Sequence, residues 1–387
     1  MIDRAMRAVK LASMNPPKLR WGILGAADIA RKNWKAIREA GDAIVAVASR
    51  DGERAKRFIA ECQAEAPFDA APAPLGSYDA LLARADVDAV YIPLPTGVRK
   101  EWVVRAANAG KHVVCEKPCA PNVTDMREML EACRRNGVQF MDGVMFVHSR
   151  RLERMGEALG DGKSVGQIRR IQSAFSFRAP EEFFSTNIRA HSALEPHGCL
   201  GDLGWYCIRF ALWAMQWQMP QQVCGRLLGK LGRKDSPAPV PTEFSGELLF
   251  EGGVSAGFYC SFVTDLEQWA RVSGTAGLLR VDDFVLPFSG SELSFDLHRA
   301  SFRVRGCDFD MQPETRRIAV VEPSHGRTGA QEVNLFGNFA AAVRSGRLNG
   351  EWPEIALKTQ QVMSACLDSA KSGGMPIAAV PPPDPAL

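Results

Sequence analysis

From Leu19 to Met141 the sequence alternates short apolar runs with amphipathic stretches of helical period, and this alternation restricts the fold more than any other feature. Leu19–Leu24, Ala43–Ser49, Ala89–Leu94, His112–Cys115 and Val138–Met141 read as strands. Ala43–Ser49 has the unbroken apolar character of a strand buried on both faces. Between them the spacing predicts a helix over Asp28–Ala40, with Ile29, Ala36, Ile37 and Ala40 on one face and Gly41 as its stop. Further helices are predicted over Glu53–Cys62 behind an Asp51 cap, from Ser77 through Leu82, and over Val98–Ala109. A last one, over Thr124–Arg135, is predicted to be capped by Thr124. Strands alternating with such helices imply an α/β fold on a doubly wound parallel sheet.

After Asp142 the pattern changes. Ile168–Arg178, Val223–Leu231, Glu247–Ser261, Trp269–Asp282 and Ser294–Arg305 are long and β-rich, with turn signals at Phe250–Val254 and Gly274–Gly277. Helices are predicted around Gly201–Gln216, Leu335–Ser345 and Pro353–Ser372. This is an α+β domain on an open, predominantly antiparallel sheet. The division reads as an N-terminal arm (1–18), a dinucleotide-binding domain (19–141), an α+β domain (142–375) and a Pro-rich tail (376–387) around Pro381–Pro385. A chain of 387 residues is long enough for two or three such cores.

Composition excludes several classes of function. A net charge of +3 gives no basic or acidic field for nucleic acid or membrane surfaces, and no apolar run approaches the ~20 residues that span a bilayer. None of the ten cysteines forms a Cys-x-x-Cys pair or a zinc-ligand spacing with His, so no metal is expected. Scattered thiols in a reducing cytosol are favoured over a secreted disulfide framework, which places the protein in the cytoplasm. The arm, with Arg4, Arg7 and Lys10 beside Asp3, is read as a frayed extension rather than a transit peptide.

Gly25-Ala26-Ala27-Asp28-Ile29-Ala30 stands where a Rossmann phosphate loop belongs, between a strand and a helix. Gly25 would make the tight turn and Ala27 let the backbone approach pyrophosphate; an ordinary strand-to-helix turn is the alternative. The second strand ends in Ser49-Arg50, not in the carboxylate that binds a ribose 2′-OH, so a 2′-phosphate and hence NADP is favoured over NAD. Glu116-Lys117-Pro118 ends a buried strand at the edge where such sheets bind ligands. Lys117 is there either a surface lysine or a proton shuttle beside nicotinamide, and Pro118 can carry a cis bond that aims it inward. Asp202 and Tyr206, four apart in Gly201-Asp-Leu-Gly-Trp-Tyr206, would share one helix face, with the glycines allowing close approach to a surface such as bound cofactor.

Together these segments resemble the Gfo/Idh/MocA oxidoreductases from about Leu19 to Ile377. The resemblance rests on Trp21–Ala30, Val90-Tyr-Ile-Pro-Leu-Pro-Thr96, Gly110–Pro118, Asn187-Ile-Arg189, Gly201–Tyr206 and Gly274–Asp282. It is strongest to the branch holding dihydrodiol dehydrogenase, NADP-dependent xylose dehydrogenase and glucose–fructose oxidoreductase, which place Tyr four residues after the Asp. The resemblance implies a site between the two domains, with Lys117 and Tyr206 catalytic and Arg189, Asp202 and His148 on the substrate side. It also implies that Pro93, Leu94, Pro95 and Thr96 lie against the nicotinamide ribose, and that the protein forms a homodimer through the exposed face of the second sheet. Arg99, where related members often carry His, and Pro196-His197-Gly198-Cys199, in place of Gly-Gly-Gly, depart from the pattern.

The chemistry expected is hydride transfer between the nicotinamide of NADP and a hydroxyl or carbonyl carbon of a sugar, polyol or vicinal diol. Tyr206 would exchange the hydroxyl proton, Lys117 would lower its phenol pKa, and Asp202 would orient the pair or bind a second hydroxyl. A sensor or regulator that binds dinucleotide without turning it over is the rival reading.

Overall fold

In the computed structural model, which describes residues 17–379, the first half is built as β1 (Arg20–Leu24), α1 (Asp28–Glu39), β2 (Ala43–Ala48), α2 (Gly52–Glu65), β3 (Ala73–Leu75), α3 (Tyr78–Leu82), β4 (Ala89–Ile92), α4 (Thr96–Asn108), β5 (His112–Cys115), α5 (Val123–Arg135) and β6 (Phe140–Asp142). The six strands form one parallel sheet in the order β3-β2-β1-β4-β5-β6. The chain reverses direction across the sheet between β1 and β4, and the crevice above that point is where doubly wound folds hold ligands. All four residues of β4 are buried, because helices cover both faces.

Local differences from the sequence reading have physical causes. β3 went unforeseen because Pro74 sits inside it; an edge strand tolerates a proline that a central strand would not. The cap of α5 is Asn122, whose Oδ1 accepts from the Asp125 N–H at 2.8 Å, not Thr124; such a cap contributes about 1 kcal/mol. Asp51 and Ser77 cap α2 and α3 as expected. On α1 the buried face is Ala30, Asn33, Trp34, Ala36 and Ile37, while Ile29 is 42% exposed and turns toward the cleft described below.

The second half runs α6 (Arg150–Gly160), β7 (Ile168–Ser176), α7 (Phe183–Thr186), α8 (Trp205–Ala214), β8 (Gln222–Leu231), β9 (Val240–Leu249), β10 (Ser255–Ser261), β11 (Ala270–Gly274), β12 (Leu278–Val281), β13 (Glu292–Arg305), β14 (Asp308–Val321), α9 (Gln331–Ser345), α10 (Glu351–Lys371) and β15 (Ile377–Ala378). Its nine-stranded sheet has the order β14-β13-β12-β11-β7-β10-β9-β8-β15; β7 and β10 are parallel and the other neighbours antiparallel. Helices α8 and α10 cover one face. β15 pairs with β8, so the chain is still part of the sheet at Ala378, beyond the start expected for the tail. Pro381–Pro385 and residues 1–16 of the arm lie outside the described residues. No described helix is long and apolar enough to cross a membrane.

The two sheets are tied by a buried ion pair. Arg209 on α8 is 1% exposed; its Nη2 donates to Asp142 Oδ2 at 2.5 Å and its Nε to Thr359 Oγ1 on α10 at 2.7 Å. One guanidinium thus joins the last strand of the parallel sheet to two helices of the second half.

Candidate active site

A cleft of about 850 Å³ lies at the carboxyl edge of the parallel sheet, walled on its far side by the second half. On the near side Gly25 has φ +122°, and a Cβ there would lie 2.9 Å from Leu94 Cδ2, so both the turn and the packing require glycine. α1 starts at Asp28 with no side-chain cap, and Ala27, Asp28 and Ile29 line the cleft. A helix N-terminus whose amides no side chain satisfies suits pyrophosphate, and the small side chain of Ala27 leaves room for it. Gly25 and Ala26 form the turn behind this wall.

Ser49 is buried, Arg50 is exposed, and neither lines the cleft. Arg54 does, with its Nη2 donating to Ala26 O at 2.9 Å. It was missed in the sequence, although it stands in the first turn of α2, four residues after Arg50. Both guanidiniums act on the Tyr78 hydroxyl, whose pKa is raised by burial and drawn back by Arg50 and Arg54. Two cations thus stand near the end of β2, where a 2′-phosphate would be bound.

Pro93 and Leu94 line the cleft, but Pro95 and Thr96 do not. Thr96 is fully buried, donating from its N–H to Glu195 Oε1 at 3.0 Å and from its hydroxyl to Oε2 at 2.5 Å. Arg99 is also buried and lines the cleft; its Nε donates to Leu94 O at 2.5 Å and its Nη1 to Pro118 O and Thr96 Oγ1. Arg99 and Glu195 thus hold the Leu94 and Pro118 turns together.

Glu116, Lys117 and Pro118 all face the cleft, with a cis bond between Lys117 and Pro118. Glu116 Oε1 accepts from the Tyr91 hydroxyl at 2.6 Å, which in turn accepts from Asn33 Nδ2 at 2.6 Å. Lys117 Nζ donates to both Asp202 Oδ1 and Asp202 O at 2.7 Å, and Arg189 Nε pairs with Asp202 Oδ2 at 2.8 Å. Burial alone would raise the Asp202 carboxyl, but Arg189 and Lys117 hold it well below the carboxylate range. Lys117 Nζ also lies 4.7 Å above the centre of the Tyr206 ring. The Tyr206 hydroxyl donates to the thioether of Met145 at 3.7 Å, a weak acceptor that a ligand oxygen can displace.

Four expectations need correction. Lys117 does not lower the Tyr206 phenol: its ammonium sits over the ring face and is bonded to Asp202. Burial, with the Glu116 and Asp202 carboxylates, raises that phenol well above its usual range. The segment Leu200–Gly204 is π-helical, so Asp202 and Tyr206 are not related by a regular α-turn. Its glycines make room for protein rather than cofactor. A Cβ on Gly201 would lie 2.7 Å from His197 Cβ and 3.0 Å from Pro118 Cγ, and one on Gly198, at φ +48°, 2.1 Å from Pro241 O. His148 does not line the cleft; it packs against Trp352 at 6.1 Å and bonds Asn338 through Nδ1, and burial pushes its imidazole down to about 4.

Comparisons with known proteins cover both halves of the chain. Residues 19–144 match the family model described as an oxidoreductase family with an NAD-binding Rossmann fold, and residues 154–280 match the GFO/IDH/MocA C-terminal domain. The chain is 30% identical over 358 residues to a D-xylose 1-dehydrogenase (NADP(+)) of Haloferax volcanii, covering 92% of this chain and 98% of the relative. It is 30% identical over 268 residues to the trans-1,2-dihydrobenzene-1,2-diol dehydrogenase of Bos taurus, covering 68% and 74%. A 3-ketoreductase from Actinomadura kijaniata, solved with NADP and TDP-benzene, superposes with a TM-score of 0.71 at 26% identity over 91% of this chain and 98% of that one.

Proposed function

The chain belongs to the Gfo/Idh/MocA oxidoreductase family, and from that premise we propose that it transfers hydride between NADP and a hydroxyl-bearing or carbonyl carbon of a sugar, polyol or vicinal diol. The observation that carries this reading is the convergence of Lys117, Asp202, Arg189 and Tyr206 in one cleft beside the uncapped start of α1. A sugar and a vicinal diol appear in the names of the xylose and diol dehydrogenases it resembles, and NADP(+) in the name of the first. Residues 19–141 would hold the cofactor, residues 142–375 would hold substrate and a second copy in a homodimer, and the cytoplasm suits ten unpaired cysteines.

When bound, the nicotinamide supplies the two-electron hydride donor or acceptor. Ala27, Asp28 and Ile29 would present their backbone to the pyrophosphate, and Arg50 and Arg54 would take the 2′-phosphate. Replacing both arginines by alanine is expected to weaken NADPH binding roughly 10- to 100-fold while NADH binding stays within a few-fold. Fluorescence titrations with the two nucleotides read this directly; equal losses for both would remove the 2′-phosphate assignment.

Arg189 and Lys117 fix the Asp202 carboxylate, which keeps the Lys117 ammonium over the Tyr206 ring and leaves Asp202 to orient a substrate hydroxyl. Tyr206 is the proton-transfer group. Because its phenol is held above the usual range, it remains protonated through neutral pH and is set to donate to a carbonyl oxygen during reduction. As a base for oxidation it acts only through its ionised fraction, which grows about tenfold per pH unit below the raised pKa. The oxidative rate should therefore climb beyond pH 9 without a plateau, while the reductive rate stays flat from neutral pH into that range. An oxidative plateau near neutral pH would exclude Tyr206 as the base.

A further inference from the structure

Arg99 lines the cleft with its side chain only 5% exposed, and its guanidinium fork is only partly engaged. Nε donates to Leu94 O, and Nη1 to Thr96 Oγ1 and Pro118 O, which fixes the plane of the group. Nη2 has no hydrogen-bond acceptor among the described residues; Glu195 Oε1 stands 3.8 Å from it. Buried donors without a partner are rare, because each forfeits its hydration for nothing, and one at the wall of a ligand cleft points to a ligand.

Glu195, which also lines the cleft, is held as firmly. Its Oε1 accepts from the Thr96 N–H at 3.0 Å and its Oε2 from the Thr96 hydroxyl at 2.5 Å. The loop that carries it is clamped to the start of α4: the Gly97 N–H donates to Leu194 O at 2.9 Å, and a Cβ on Gly97 would collide with Ala193 O. With both side chains pinned, neither swings across to close the 3.8 Å gap between them. That gap is too long for a direct hydrogen bond. One oxygen placed about 2.8–3.0 Å from each atom spans it, accepting from Nη2 and donating to Oε1. A hydroxyl can do both at once; a carboxylate cannot donate.

The charges at this end of the cleft point the same way. Arg99, Lys117 and Arg189 stand against Glu116, Glu195 and Asp202, three cations to three carboxylates, so no net positive field draws an acid group. Arg189 is raised chiefly by Asp202 and also by Glu195, which keeps the second carboxylate in the neighbourhood of the first. We infer that Arg99 and Glu195 together read a neutral hydroxyl of the substrate, beyond the oxygen that reacts at Tyr206 and the hydroxyl that Asp202 orients. The substrate is then a sugar or polyol carrying at least three oxygens, not a simple vicinal diol. The inference rests on the hydride-transfer reading above and narrows it.

Kinetics of the full chain with NADP test this, comparing D-xylose and D-glucose with trans-cyclohexane-1,2-diol and then taking the better aldose through its single-deoxy analogues. The aldose should exceed the diol roughly 100-fold or more in kcat/KM, and removing the hydroxyl that Arg99 reads should cost a similar factor, as in a site built around a substrate hydroxyl. The same series on Arg99→Gln identifies that position. The parent aldose should fall about as far as the deoxy analogue did on the native chain, while that analogue itself changes only about a few-fold, its contact being already gone. A variant that had merely lost the shape of the loop would lower every sugar equally and loosen NADPH binding, so nucleotide affinity is measured alongside. Equal losses across the series in Arg99→Gln, a native deoxy series flat at every position, or a diol oxidised as well as any aldose would each overturn the inference and leave the hydride-transfer reading standing. No turnover of any probe would overturn both.

Discussion

Replacing Tyr206 by Phe should lower turnover roughly 10²- to 10⁴-fold while NADPH binds as before, the usual scale for losing a positioned proton donor. The substitution keeps the ring, so its packing against Phe146 and Phe175 and the Lys117 ammonium 4.7 Å above it survive. Only the hydroxyl is lost, and inside the protein it bonds nothing stronger than the Met145 thioether. A merely structural tyrosine would therefore give a variant of near-native activity. Single-turnover absorbance of bound NADPH, with nucleotide affinity measured in parallel, separates the two outcomes.

The largest effect on stability is expected at Arg209. Its guanidinium is buried and bonded to Asp142 and Thr359, so Arg209→Met strands a carboxylate among apolar groups. Breaking a buried pair from one side costs ~3–5 kcal/mol, whereas replacing both partners by apolar residues is often nearly neutral. Urea unfolding should thus show a large drop for Arg209→Met and substantial recovery in the double variant Asp142→Leu/Arg209→Met. Equal loss in both would mean that the pair's hydrogen bonds, not the stranded charge, set the cost. The contact joins the two halves, so a weakened variant should also unfold less cooperatively with heat, losing the two sheets over separate temperature ranges.

The parallel sheet was legible because its strands are buried on both faces and its helices carry a clear stripe. β3 and β14 were not, since each contains a proline and lies toward an edge where no alternation need be kept. Ile29 misled because a helix bordering a cleft turns an apolar residue to that cleft as well as to the core. Lys117, Arg189, Asp202 and Tyr206 could each be named from local pattern and family resemblance. Their mutual order could not, since Arg189 reaches Asp202 only after the segment behind α7 folds over the cleft, and the π-turn at Leu200–Gly204 has no sequence period of its own. His148 was misplaced because Trp352, two hundred residues on, covers it. The phenol of Tyr206 was read with the wrong sign because proximity of Lys117 was inferred without its bond to Asp202, which takes up the ammonium's charge.

The most direct test of the central claim is to titrate the protein with NADPH by fluorescence and then follow NADPH absorbance as aldoses, ketoses and diketone precursors of vicinal diols are added in turn. The account predicts saturable binding, tighter for NADPH than for NADH, and loss of absorbance with at least one carbonyl substrate that disappears in Tyr206→Phe. Saturable binding with no turnover on any of them would contradict it and mark the protein as a dinucleotide sensor.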